Sequence, residues 1–299
     1  MKFILLTILF SYSFSFELLY DSMNINYIPL SVKSSAMGGV YRSANNEKHL
    51  NFSHLSKFGG IYTLDIIQYN NITFASHGVD NIPNTLEAWE NINDNGPASH
   101  EIDYSKIGYF DIKDFNLIIS KIIMNKYNIS IKNTFSKSYN SNGIGFGLNI
   151  LTTKRKIKKI NYYLGLYDVI SFKRWSTSNL EYYKPRFMFS LEYPINEGLF
   201  KNLNSLNIIT LYIDDYTFKN HIIDYHIGSQ INLMKNLNIF FGNSNYDQLT
   251  IGISLNNNFF NFDYSYIIPN NDLSFYYSHN VGIGINISAL FQKGKFFYP

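Results

Sequence analysis

The sequence predicts an all-β protein, a transmembrane antiparallel β-barrel of about fourteen strands with a short N-terminal plug segment. Three observations predict it. Segments of roughly ten residues alternate apolar with small or polar side chains, the period of a strand with one wet and one greasy face. Charged residues are only 16% and aromatic ones 17% of the 299 residues, where soluble domains carry about 25% charge. Beyond the N-terminal stretch no run of about 18 apolar residues occurs, so no helix is long enough to span. A β-sandwich also alternates, but its strands average about five or six residues and its outer faces carry Lys, Glu and Arg. Here the non-apolar faces carry Gly, Asn, Ser and Tyr.

Taken in order, Lys2 precedes an apolar run from Phe3 to Phe10, then small residues at Ser13 and Ser15. That is the form of a secretory signal peptide over residues 1–15. No cysteine follows it, which excludes a lipid anchor on sulfur, disulfides and thiolate sites alike. Residues 16–48 are read as the plug segment, 49–291 as the barrel and 292–299 as a tail. In 143–151, Ile144, Phe146, Leu148 and Ile150 oppose Gly143, Gly145, Gly147 and Asn149. Leu249, Ile251, Ile253 and Leu255 oppose Thr250, Gly252 and Ser254, and Phe260, Phe262, Tyr264 and Tyr266 oppose Asn261, Asp263 and Ser265. The final strand is expected to run from Asn280 to Phe291, and the same pattern recurs in 127–135, 160–166, 187–193 and 223–233. Apolar faces look outward at lipid and polar faces inward. An arginine is therefore expected to be excluded at Ile251 and tolerated at Ser254.

Turns at 69–71, 125–126, 234–236 and 256–258 read as short, and connections at 79–115, 170–184, 214–221 and 268–279 as longer. Short turns face the periplasm; the connections 153–159 and 194–204 are long for that side. Tyr62, Tyr69, Tyr162, Tyr163, Tyr182, Tyr183, Tyr276 and Tyr277 read as interfacial girdles.

Chemical signatures are few. The alternation turns Lys132, Arg186, Glu192, Asp224, His226 and Asp263 inward, either as mutually paired filling or as a polar track for a solute. The seven histidines show no metal-binding spacing. Asn91-Ile92-Asn93-Asp94-Asn95-Gly96 resembles half a calcium loop, but Ile102 stands where the bidentate acid belongs. There is no Gly-x-Ser-x-Gly elbow and no phosphate-binding loop. The basic run of residues 154–159 reads as a solvated turn. No catalytic residue, metal or cofactor is picked out, the chain is read as non-enzymatic, and a net charge of +3 gives no case for nucleic acid.

Ser35-Ala36-Met37-Gly38-Gly39-Val40-Tyr41 resembles the segment that opens the PorV/PorQ-like outer-membrane proteins, a branch of the FadL-like superfamily. Gly78-Val79-Asp80-Asn81-Ile82-Pro83-Asn84-Thr85 resembles that family's first long loop, and Phe262-Asp263-Tyr264-Ser265-Tyr266 with Ser278-His279 its C-terminal hairpin. One departure stands out. The family carries Asn-Pro-Ala-Gly-Leu after the double glycine, where this chain has Asn51-Phe52-Ser53-His54-Leu55. Residues 50–56 are better read as the first strand, turning at 57–60, with the plug shortened or altered. The resemblance implies a barrel in the bacterial outer membrane that acts as partner or tether for secreted proteins in a type IX secretion-like context. Its alternative implication is a FadL-like transporter of small hydrophobic molecules. The implied partners are outer-membrane lipid, secretion-system components or secreted cargo, and a small hydrophobic ligand.

Overall fold

Hairpin turns punctuate the chain where the backbone must enter left-handed space. Asn70, Met124 and Asn125 have φ of 52°, 53° and 52°, the conformation that matches a tight hairpin to the twist of its strands. A computed structural model describes residues 30–41, 49–57, 62–84, 107–195, 205–216, 220–245, 247–269 and 277–289.

The strands are β1 (His49–Lys57), β2 (Tyr62–Tyr69), β3 (Ile72–Asn84), β4 (Gly108–Ile123), β5 (Tyr127–Ser138), β6 (Ser141–Thr152), β7 (Arg155–Ile157) and β8 (Ile160–Trp175). They continue as β9 (Leu180–Tyr182), β10 (Arg186–Ile195), β11 (Ser205–Tyr216), β12 (Asn220–Met234), β13 (Leu237–Ser244), β14 (Asp247–Asn256), β15 (Phe260–Pro269) and β16 (Ser278–Asn286). β7 and β9 are three-residue ribbons lying against β8. The other fourteen pair antiparallel in one ring, closed where β1 meets β16 (His49↔Asn286) and where β8 meets β10 (Leu166↔Phe187). One short helix, α1 (Val32–Ala36), sits inside and touches β1 and β13 to β16.

The faces are those of a membrane protein. Phe74, Phe115, Ile131, Ile144, Ile170, Ile209, Ile251, Phe262 and Ile283 are exposed on the outer wall. Asp114, Asn116, Lys132, Thr134, Asn149, Ser190, Thr210, Thr250 and Ser265 are buried within. A greasy exterior over a closed ladder satisfies every wall backbone group in hydrocarbon, which a strand-built chain achieves only by closure. Among the described residues no helix is long and apolar enough to cross a membrane. The protein is a transmembrane β-barrel of the bacterial outer membrane.

Several expectations need correction. β2 is inverted: Tyr62, Leu64 and Ile66 are buried inside with Leu55, Ala75, Ile118 and Val32, while Asp65 is outward and exposed. Tyr62 and Tyr163 point into the barrel at 8% and 2% exposure and belong to no girdle. Tyr69, Tyr182 and Tyr277 are exposed; Tyr276 lies outside the described residues. Parts of the expected loops are strand, because hairpin ladders are prolonged toward their turns, while residues 85–106 and 270–276 of those loops lie outside the described residues. β3 extends to Asn84, β8 to Trp175, and only residues 217–219 separate β11 from β12. A short turn at 139–140 sits among the long connections. β16 ends at Asn286, whose side chain accepts from the Ala289 amide at 3.0 Å as residues 287–289 turn helical. Finally, Ser254 is fully buried, so an arginine there meets packed atoms rather than an open lumen.

Ile251 is the cleaner probe of which face meets lipid. Ile251→Arg is expected to cost about 2–4 kcal/mol if it lies near the bilayer midplane and to abolish the heat-modifiable folded band on gels. Ile251→Leu should keep it.

Candidate functional site

The lumen is assembled from a seated peptide and a set of buried ion pairs. The peptide begins where the Ser31 side chain caps α1 by accepting from the Ser34 amide at 3.1 Å. It ends where Gly38 and Gly39 take φ of 73° and 84°, letting the Gly39 amide return to the Ser34 carbonyl at 2.8 Å. Only residues without Cβ turn so sharply at no steric cost.

The wall is cut to receive this turn. A Cβ on Gly242 of β13 would lie 2.1 Å from the Met37 carbonyl carbon. One on Gly228 of β12 would lie 2.4 Å from the Met37 Cβ, and one on Gly252 of β14 would lie 2.4 Å from the Ala36 Cβ. Gly228 and Gly242 are register partners, so neighbouring strands offer one smooth socket. Ala36, Met37 and Val40 are buried against Ile208 and Phe240. Polar contacts fix the orientation. Thr250 Oγ1 donates to the Ala36 carbonyl at 2.9 Å, the Tyr41 amide to Thr210 Oγ1 at 3.0 Å, and Asn280 Nδ2 to Ser35 Oγ at 2.8 Å. His226 Nδ1 carries the proton it donates to the Gly38 carbonyl, which sets the imidazole tautomer. Lys33 reaches Asp263 at 3.7 Å.

Around the plug run the charges. Arg186 of β10 meets Asp224 of β12 at 2.6 Å, with both side chains almost fully buried, and stacks on Tyr212 at 4.1 Å. Lys132 of β5 meets Asp168 of β8 at 3.1 Å. Asp168 stands at a register shift between β6 and β8 with φ of 51°, its amide held by Asn149 Oδ1 at 2.9 Å. The bulge re-aims this carboxylate into the lumen, as bulges do. Lys173 meets Asp114 at 2.8 Å and lies over the Trp175 ring at 5.2 Å. Glu192 accepts from Asn161 at 3.3 Å and lies 3.7 Å from Lys154, which draws on the basic run. Each buried charge thus has a counter-charge, the condition for keeping it ionised in a dry interior.

All six inward candidates therefore line the interior, in two groups. His226 and Asp263 engage the plug; Lys132, Arg186, Glu192 and Asp224 belong to wall-to-wall pairs. Of the motif residues, Ala36, Met37, Gly38 and Gly39 form the seated turn. Asp80, Ile82 and Pro83 are in β3 rather than a loop, with Asp80 paired to Lys113 at 2.8 Å and Pro83 opposite Tyr109 at the strand end. Sequence reasoning missed Asp168, Lys173 and Asp114, and also the Tyr62 hydroxyl against His77 Nδ1 at 2.8 Å. Asp114 and Lys173 fall within the expected connections 79–115 and 170–184, where no strand alternation applies, and only the bulge turns Asp168 inward. The calcium-like stretch at 91–96 lies outside the described residues. Among the described residues no cluster of His, Asp and Glu suits a metal.

A ring of fourteen strands, apolar outside and carrying a peptide in a polar lumen, defines a plugged outer-membrane β-barrel. No family model and no curated protein matches the chain. Among solved structures it is similar to the Pseudomonas putida toluene transporter TodX, at 10% identity over 87% of this chain and 98% of that one, with a TM-score of 0.48. It also aligns with the KdgM porin at 8% identity, 79% and 98% coverage and a TM-score of 0.32. CdiB from Acinetobacter baumannii aligns at 9% identity and a TM-score of 0.39, with 82% of this chain spanning 60% of that chain. The assignment of the fold rests on the strand pairing itself.

Two substitutions separate socket from scaffold. Gly242→Ala should unseat the plug without opening the wall: trypsin cleavage after Lys33 becomes fast while the heat-modifiable band persists. Gly108→Ala, with no atoms near its Cβ position, should change neither. Lys132→Met strands Asp168 and should cost about 3–5 kcal/mol in urea unfolding from lipid vesicles, most of it recovered in Lys132→Met/Asp168→Leu.

Proposed function

We propose that the chain is a partner barrel that receives or tethers secreted proteins in a type IX secretion-like context, as its resemblance to PorV/PorQ-like proteins implies. One observation carries this reading: the described lumen is occupied. The turn of residues 36–39 fills a glycine socket, and Lys132–Asp168, Lys173–Asp114 and Arg186–Asp224 tie the wall together across buried space. A barrel so filled works through its outer surfaces. On β4 and β9, Tyr109 and Tyr182 are 66% and 73% exposed.

A second reading, transport of small hydrophobic molecules, draws on the apolar patch inside β1 to β4, where Leu55, Leu64, Ile66, Ala75 and Ile118 surround Val32 of the plug. Two measurements on the full chain discriminate. The partner reading expects no sugar-driven swelling of proteoliposomes, and photo-crosslinks from Tyr109 or Tyr182 to secreted proteins in native membranes. Uptake of a small aromatic hydrocarbon into those proteoliposomes, with no crosslinked protein, would favour the transporter instead.

A further inference from the structure

The basic run at 154–159 is built into the end of the wall. Five of its six residues are cations. Arg155–Ile157 form β7, folded back on the start of β8 with Arg155 opposite Tyr162 and Ile157 opposite Ile160. A second hairpin tip is fastened to it. Thr153 donates its amide to the Lys126 carbonyl at 2.9 Å and its hydroxyl to the Asn125 carbonyl at 2.9 Å. The β4–β5 turn and the β7–β8 hairpin therefore present one surface, which carries Lys126 beside the basic run.

Carboxylates do not balance this surface. Within 117–132, 146–166 and 187–195, the stretches of β4, β5, β6, β8 and β10 nearest the rim, Glu192 is the single acid, and it lies 3.7 Å from Lys154. Apolar side chains border the charge instead. Ile157 is 60% and Met124 80% exposed, and Ile160 and Tyr127 are also exposed. Lys121 marks where the lipid-facing belt ends. It follows Leu117 and Ile119 on the outer face of β4, and its row across the wall is Ile129, Ile150 and Leu166. A cation at the edge of an aliphatic row lays its stem on acyl chains and extends its ammonium to the headgroup layer. β1 begins and β16 ends at this rim, and its turns at 70–71, 124–126 and 235–236 are short. Short turns mark the periplasmic side of an outer-membrane barrel, where the leaflet is glycerophospholipid.

We propose that these two fastened tips bind the phosphate of an anionic glycerophospholipid, phosphatidylglycerol in class, in the periplasmic leaflet. Two features single out that partner: the unbalanced positive charge and its continuity with the lipid-facing wall. A guanidinium offers a planar fork that takes two phosphate oxygens at once, and ammonium groups add point charges around it. Arg155 supplies the fork; Lys121, Lys126 and Lys158 supply the point charges. Ile157 lies two residues from Arg155 on the same face of β7, opposite Ile160, so this pair meets the acyl chains of the lipid whose phosphate Arg155 holds. An acidic protein segment would match the cations but not the exposed Ile157 and Met124. The surface lies at the end of the barrel and does not depend on the lumen, so it stands whether the barrel is a partner or a transporter.

The test uses the full chain refolded in dodecyl maltoside micelles that hold equal amounts of phosphatidylglycerol and phosphatidylcholine, with folding checked by heat-modifiability. Native mass spectrometry counts the lipid each protein retains. A basic residue near an anionic surface is worth about fivefold in affinity, so wild type should retain at least ~5-fold more phosphatidylglycerol than phosphatidylcholine. Lys126→Gln/Arg155→Gln/Lys158→Gln should retain the two lipids equally. Lys137→Gln/Arg174→Gln/Lys184→Gln removes the same charge at the opposite rim and should keep the wild-type ratio. Equal retention by wild type, or the same loss in both triple variants, overturns the proposal. A benzophenone amino acid in place of Ile157 should capture lipid in native membranes; capture of a protein instead overturns the choice of partner.

Discussion

Hydrocarbon offers no partner to an unpaired N–H or C=O, and each one left unsatisfied costs several kcal/mol. A chain without long apolar helices therefore enters the membrane only if its sheet has no edges. Closure at β1–β16 and β8–β10 meets that demand, and the rest of the architecture descends from it. A closed ring has an interior, and the interior must be filled or wet. Here the described lumen is filled by inward glycines that admit a peptide and by charges that find one another across the barrel.

The filling follows two distinct physical rules. On the side of β12 to β14 the wall supplies absence: Gly228, Gly242 and Gly252 leave room for the backbone of Met37 and Gly38. On the side of β4, β5 and β8 it supplies charge: Lys132, Lys173, Asp114 and Asp168 lie close enough that each ion is neutralised. Arg186 and Asp224 bind β10 to β12 across the intervening β11. Desolvated pairs of this kind contribute little net stability but make any broken arrangement costly. They hold the lumen in one arrangement. At β2 the wall is greasy within and, on its outer face, carries Asp65 paired with His54; apolar side chains also fill the interior at Ile208, Phe240, Met188 and Tyr163.

Much of this was legible residue by residue. Period-two alternation turned Lys132, Arg186, Glu192, Asp224, His226 and Asp263 inward, because a strand's pleat leaves a side chain no third direction. The same rule missed β2, since Leu64 and Ile66 are as apolar as their outward neighbours Ile67 and Tyr69, and only Asp65 broke the run. It also gave no means of separating a girdle tyrosine from Tyr62, which turns inward to His77, or Tyr163, which packs on Leu151 and Met188. The connection expected at 214–221 is shorter in the structure: Asn and Asp read as turn formers, whereas β11 keeps Asp214 and Asp215 in its ladder against β12.

By itself the sequence determined the class of fold, the lipid environment and the face of most strand residues, because these follow from local periodicity and from the absence of any long apolar helix. Tertiary structure alone decided which charges pair, where the double-glycine turn is seated, and that His54 stands opposite Asp65. Those facts depend on the register between strands and on a bulge at Asp168. Register is set by the closed ring as a whole, and no window of sequence contains it.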